Sequence, residues 1–168
     1  SGDQALETIG TWWMWAGFFA IVVAMLAVDL RVGGGKAHRP FGSEGGHADF
    51  APHNQLEMEL LVYLMGRHGR VSYERILSGP GLVNAYRFFR DREKGKEPAW
   101  LAEELRVGDP AAVISQRALD GKSPLCVQAL DLFVSVYGAA AGNLALTLMA
   151  TDGVYLGGGI APKIVAKL

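Results

Sequence analysis

One cysteine in 168 residues, Cys126, excludes an internal disulfide. Its setting in the apolar run PLCVQALDL reads as a buried thiol in a reducing compartment. With no second cysteine there is also no cysteine-based zinc frame. An excess of charge of either sign is missing too: 16 basic and 17 acidic residues are mixed along the chain, for a formal charge of −1. No basic stripe results, so nucleic acid is not an expected partner. The N-terminal apolar run lacks a small-x-small cleavage pattern, and its basic residues follow it, so it does not read as a signal peptide.

That run is the place where charge is absent altogether. Residues 9–28, IGTWWMWAGFFAIVVAMLAV, form 20 uncharged positions. As a helix at about 1.5 Å per residue they cross a bilayer core of about 30 Å. Trp12, Trp13 and Trp15 cluster at one end, as indole rings do at headgroup level. Asp3 and Glu7 precede the run and Arg31, Lys36 and Arg39 follow it, which orients the remainder of the chain toward the cytoplasm. A buried helix in a globular domain is the alternative. Gly33-Gly34-Gly35 reads as a flexible break, dividing the chain into 1–40 and 41–168.

From Phe41 onward charges return at ordinary density, and the pattern is that of a cytosolic α/β domain. Asn54 and Glu57 resemble a capping box that opens a helix over residues 55–67, with Leu56, Leu60, Leu61, Leu64 and Met65 on one face. Residues 73–77 read as a short helix broken by Ser78-Gly79-Pro80-Gly81, and 82–90 as the next. Residues 91–110 read as an exposed connection, and Pro110 starts a helix to about Asp120. Residues 124–150 read as one long apolar helix. Asp131 within it makes a membrane span costly, by about 2.5–3.5 kcal/mol, so a core helix is expected. The small residues 138–142 predict a close approach by a helix or sheet. Residues 153–156 read as a short strand, and Gly157–Ile160 as a strand-to-helix turn whose backbone a ligand can approach.

The chemistry concentrates in SEGGHADFAP, residues 43–52. Gly45 and Gly46 let the chain turn between Glu44 and His47, so a carboxylate and an imidazole can converge on one small ligand. Such a pair suits a polyol, because a carboxylate accepts from two hydroxyls and an imidazole donates or accepts. Two alternatives stay open: a solvated loop, and a divalent ion held by Glu44, His47, Asp49 and His53, whose spacing matches no strong zinc pattern.

SEGGHADFAP, VSYERILSGPGLVNAYRF, PLCVQALDLFVSVYGAAAGNLAL and DGVYLGGGIAPKI follow one another in an order that resembles the bacterial ATP-dependent glucokinases. The likeness runs from Gly42 to the C-terminus. It implies a partial α/β domain of the actin-like, hexokinase (ribonuclease H-like) type. It implies that Glu44, His47 and Glu74 contact glucose hydroxyls. It also implies that Gly157, Gly158, Gly159 and Ile160 lie on the nucleotide side, with ATP and Mg²⁺ as cofactors, and that no protein metal site is present. The expected partner is glucose, with a second copy of the chain and a membrane as open alternatives. The family's DxGGTN hairpin, its NDF motif with the catalytic Asp, and its GTGLG phosphate loop have no counterpart here, so no catalytic residue is assigned. PGEGGH reads FGSEGGH, and the chain stops short of the family's closing helices, so it reads as a truncated domain, inactive alone. Residues 9–39 resemble instead the first transmembrane helix of the TerC family, which leaves two further readings: a non-catalytic sugar-binding remnant, and a membrane protein of TerC type.

Overall fold

The computed structural model describes residues 12–33, 44–93 and 97–168. The chain divides into two units, 1–43 and 44–168. In the first, α1 spans Trp12–Gly33. Its side chains from Trp12 to Ala24 are apolar on every face and almost all exposed. The end of the expected glycine break, Gly34 and Gly35, lies outside the described residues, as do Lys36 and Arg39.

The second unit is helical. It contains α2 (Gln55–His68), α3 (Gly79–Arg92), α4 (Ala99–Val107), α5 (Pro110–Leu119) and α6 (Pro124–Leu148). Single 3₁₀ turns lie at Gly45–His47, Tyr73–Arg75, Ala161–Lys163 and Val165–Lys167. Helices α3, α5 and α6 pack on one another and enclose the core, with α2 against α3 and α4 against α5. Tyr86, Ile114, Leu130 and Phe133 are almost wholly buried there.

Local chemistry sets the helix ends. Asn54 Oδ1 accepts from the Glu57 amide at 2.9 Å. In return Glu57 Oε2 accepts from the His53 amide at 3.1 Å, one residue before the cap. Glu57 is fully buried, a position that a carboxylate tolerates only when bonded. The Asn54 amide at 3.0 Å and His53 Nδ1 at 2.9 Å complete its partners. On the expected apolar face Leu60 and Leu64 are buried, but Met65 is exposed.

Five sequence expectations are corrected. Ser78-Gly79-Pro80-Gly81 does not break a helix but begins one. Ser78 Oγ accepts from the Gly81 amide at 3.0 Å, and Pro80 sits in the first turn, where no donor is needed. The supposed connection 91–110 contains α4, anchored by a fully buried Leu101. The α/β layering is not seen: among the described residues there is no strand, only an isolated antiparallel bridge between Asp49 and Ser72. Residues 153–157 are irregular, with Tyr155 93% exposed, because a strand exists only as one side of a ladder and among the described residues no ladder partner lies beside them. Finally, α6 is a core helix only in its first half, where Leu125, Ala129, Leu132, Phe133 and Val136 are buried. Farther on, Leu144, Leu146 and Leu148 are exposed, and among the described residues nothing lies within 4 Å of where a Cβ on Gly138 or Gly142 would sit. Asp131 pairs with Lys167 at 2.7 Å.

Candidate functional site

The two 3₁₀ turns Gly45–His47 and Tyr73–Arg75 lie side by side. Backbone bonds clamp the segments that carry them. The Phe50 amide donates to the Val71 carbonyl and the Tyr73 amide to the Ala48 carbonyl, both at 3.0 Å. Phe50 is buried edge-on to Tyr73, so the clamp has an apolar underside. On this platform His47 stands between two carboxylates: Nε2 is 3.1 Å from Glu44 and Nδ1 is 3.3 Å from Glu74. A side chain on Gly46 would make ordinary contact with the Glu74 Cβ, at 3.8 Å.

Glu74 is held from behind. Ser78 Oγ donates to its carbonyl at 2.7 Å, and the Asn84 amide donates to the Arg75 carbonyl at 3.0 Å. The turn is thereby tied to the start of α3. On the other flank Arg70 Nε donates to Asp49 at 2.6 Å, and its Nη2 donates to the His47 carbonyl at 3.0 Å. Arg70, Ser78 and Asn84 were not singled out from the sequence. For Ser78 the signal was present, a serine followed by a proline in a first helical turn; for Arg70 none was, since its partners lie more than 20 residues away.

Side-chain exposures of 80%, 59% and 57% for Glu44, His47 and Glu74 make this an open, hydrated surface. Ion pairs there contribute little to stability, so the arrangement is not explained by folding. A neutral imidazole carries one N–H, so it can satisfy only one of the two carboxylates, and both retain acceptor sites for hydroxyl donors. Two carboxylates around one imidazole disfavour an anionic ligand and suit a neutral one rich in hydroxyls.

The remaining residues weighed from the sequence fall elsewhere. Asp49 is engaged by Arg70, and His53 by Glu57 at the start of α2. Among the described residues no group of three or more His, Cys, Asp and Glu side chains is arranged to hold a metal ion. Gly157, Gly158, Gly159 and Ile160 form a separate loop that shares no hydrogen bond or ion pair with Glu44, His47 or Glu74 among the described residues. Gly158 has φ +96°, a conformation that glycine adopts without strain, and the space around all three glycines is open. Ile160 packs against the core and anchors the loop.

The glucokinase family model matches residues 26–168, so the match begins within α1 rather than at Gly42. A glucokinase of a Nostoc species is 47% identical over 144 residues, covering 78% of this chain and 42% of the relative. One from a Synechocystis species is 45% identical over 144 residues, covering 78% and 41%. The crystal structure of a glucokinase from an Antarctic psychrotroph superimposes with a TM-score of 0.61 at 34% identity, over 74% of this chain and 36% of that one. Sequence and backbone therefore agree on one class, the sugar kinases. Within it, the chain belongs to the glucokinase family. It spans about two fifths of the length of the curated relatives it matches.

Proposed function

We propose that this chain is the sugar-holding part of a glucokinase, with Glu44, His47 and Glu74 as hydrogen-bond partners of glucose hydroxyls. The observation that carries the reading is the placement of one imidazole within 3.3 Å of two carboxylates from separate turns. A hexose hydroxyl can replace either His47–carboxylate contact, and the ring then spans both carboxylates. In such a kinase ATP with Mg²⁺ supplies the transferred phosphoryl group. The open loop Gly157–Ile160, with no Cβ over three successive residues, fits a nucleotide that approaches the backbone closely. The sequence has no counterpart of the family's phosphate loops or catalytic Asp. The 168 residues by themselves therefore bind sugar without transferring phosphate. The apolar α1 is read as a membrane-seeking segment of the TerC-like kind.

The test is a glucose titration followed by amide NMR. Shifts are expected at Gly45–His47 and Tyr73–Arg75, with saturation in the millimolar range or above. Glu74→Gln and His47→Ala should each weaken binding roughly tenfold or more, the size of losing a hydrogen bond to a charged group. Saturable glucose binding that both variants leave unchanged would remove the assignment.

A further inference from the structure

Helices α3, α4 and α5 line an open-sided pocket of about 190 Å³ that the sugar reading does not use. Val83, Leu105 and the fully buried Ile114 give it an apolar wall. Arg87, Arg90, Arg106 and Glu97 also line it. Arg90 and Arg106 are each paired with a carboxylate outside the lining, Asp91 and Glu103, so Arg87 is the arginine whose charge is not already paired among the described residues.

Two of the guanidiniums are held in place. Arg90 Nε and Nη2 donate to Asp91 at 3.0 and 2.9 Å, and Arg106 Nε and Nη2 donate to Glu103 at 2.8 and 2.6 Å. Among the described residues each keeps its Nη1 as an uncommitted donor. Arg87 makes no hydrogen bond or ion pair among the described residues. It lies one helical turn before Arg90 on α3, so the two heads share a face. Glu97 accepts from the Tyr86 hydroxyl through Oε1 at 2.6 Å, and among the described residues Oε2 has no partner.

We propose that this pocket binds a small phosphate monoester. Guanidinium forks match phosphate oxygens in geometry and charge. Arg87 and the free Nη1 atoms of Arg90 and Arg106 take the phosphate, and Glu97 Oε2 accepts from a hydroxyl on the ester. The apolar wall receives the short carbon body. The volume, about 190 Å³, lies below the roughly 300–1,000 Å³ of sites that enclose drug-sized ligands, which suits a small ester.

The test uses the intact chain at constant ionic strength, with inorganic phosphate, glycerol phosphate and chloride as probes in NMR titrations. Saturable shifts are expected on α3, α4 and α5 with both phosphates, tighter for glycerol phosphate, and none with chloride. Arg87→Ala should weaken both at least tenfold while leaving the urea midpoint unchanged, because Arg87 bonds nothing among the described residues. Arg87→Lys should recover part of the affinity through charge alone. Equal affinity in Arg87→Ala, or chloride reproducing the shifts, would overturn the site, and equal affinity for the two phosphates would overturn the ester. Glu74→Gln should leave phosphate binding intact, so this site and the sugar site stand or fall separately.

Discussion

Asp91 gathers donors from two helices. The Tyr63 hydroxyl at 2.7 Å and Arg67 at 3.0 Å come from α2, and Arg90 comes from its own helix, α3. The Tyr63 bond first, then the guanidiniums, hold the Asp91 carboxyl below its ordinary range, against the opposing effect of burial. Burial, then the same hydrogen bond, pushes Tyr63 up to about 12. The signs follow from linkage. A depressed carboxylate contributes stability that is present above its unfolded value, about 4, and is lost as pH falls through the folded value. A raised tyrosine contributes stability that is present below about 10 and is lost between there and 12. Asp91→Asn should therefore lower the urea midpoint at pH 7, and the gap to the parent chain should close below about pH 4. A gap that persists unchanged to pH 2 would show that the network acts through packing alone. At this scale the sequence was half legible. Glu44 and His47 stand out because two glycines separate them. Arg70, which ties the His47 carbonyl to Asp49, does not, because its role exists only once two distant turns meet.

The first turn of α3 shows what a local reading can miss. Gly-Pro-Gly reads as a breaker, yet with Ser78 ahead of it the same residues form an N-terminus. Gly81 is required there for space rather than for its dihedral angles. A Cβ would collide with the Ile76 carbonyl, which is backbone and cannot rotate away. Gly81→Ala should destabilise the unit by about 1–3 kcal/mol, read as a lower urea midpoint. Because α3 carries the tether to Glu74, the same variant should also weaken glucose binding. Helix ends at Asn54, Pro110 and Pro124 were legible because caps act within four residues; α4 was not, because its nine residues bury a single side chain, Leu101. For α1 the test is physical. Its 22 residues are about 33 Å long at 1.5 Å each. Among the described residues, the helix that meets the length and apolarity of a span is α6, while the apolar stretch of α1 runs from Trp12 to Ala24. The first half of α6 is committed to the core, so α1 is the segment to test. The chain should remain with carbonate-washed membranes, and deletion of residues 1–32 should release it. A full-length chain that stays in the supernatant would end the membrane reading.

For the molecule as a whole, the expectation of a sheet came from family likeness and from one short apolar segment. A sheet is a property of several segments at once, so no single segment predicts it. The helical core, in contrast, needs only amphipathic neighbours in sequence order, and α2, α5 and the buried half of α6 were readable from it. Catalysis belongs to this scale as well. A positioned general base alone is worth about 10²–10⁴-fold, and fixed phosphate donors add more. With neither motif in its 168 residues, the purified chain should yield no glucose 6-phosphate above background in a coupled assay. ATP-dependent turnover abolished by Glu74→Ala would show that the catalytic groups lie among residues assigned other roles here.

Cys126 lies fully buried in the first turn of α6, and burial pushes its thiol above the ordinary range. The thiolate is the nucleophile that attacks an alkylating reagent and displaces its leaving group, so the folded chain offers such a reagent almost nothing. Since the chain holds no other thiol, each modification event records one opening of the helical core. The molecule thus carries a single-shot counter of its own fluctuations. Its rate of alkylation, compared with that of the unfolded chain, gives the free energy of the opening that exposes this residue, without any added label.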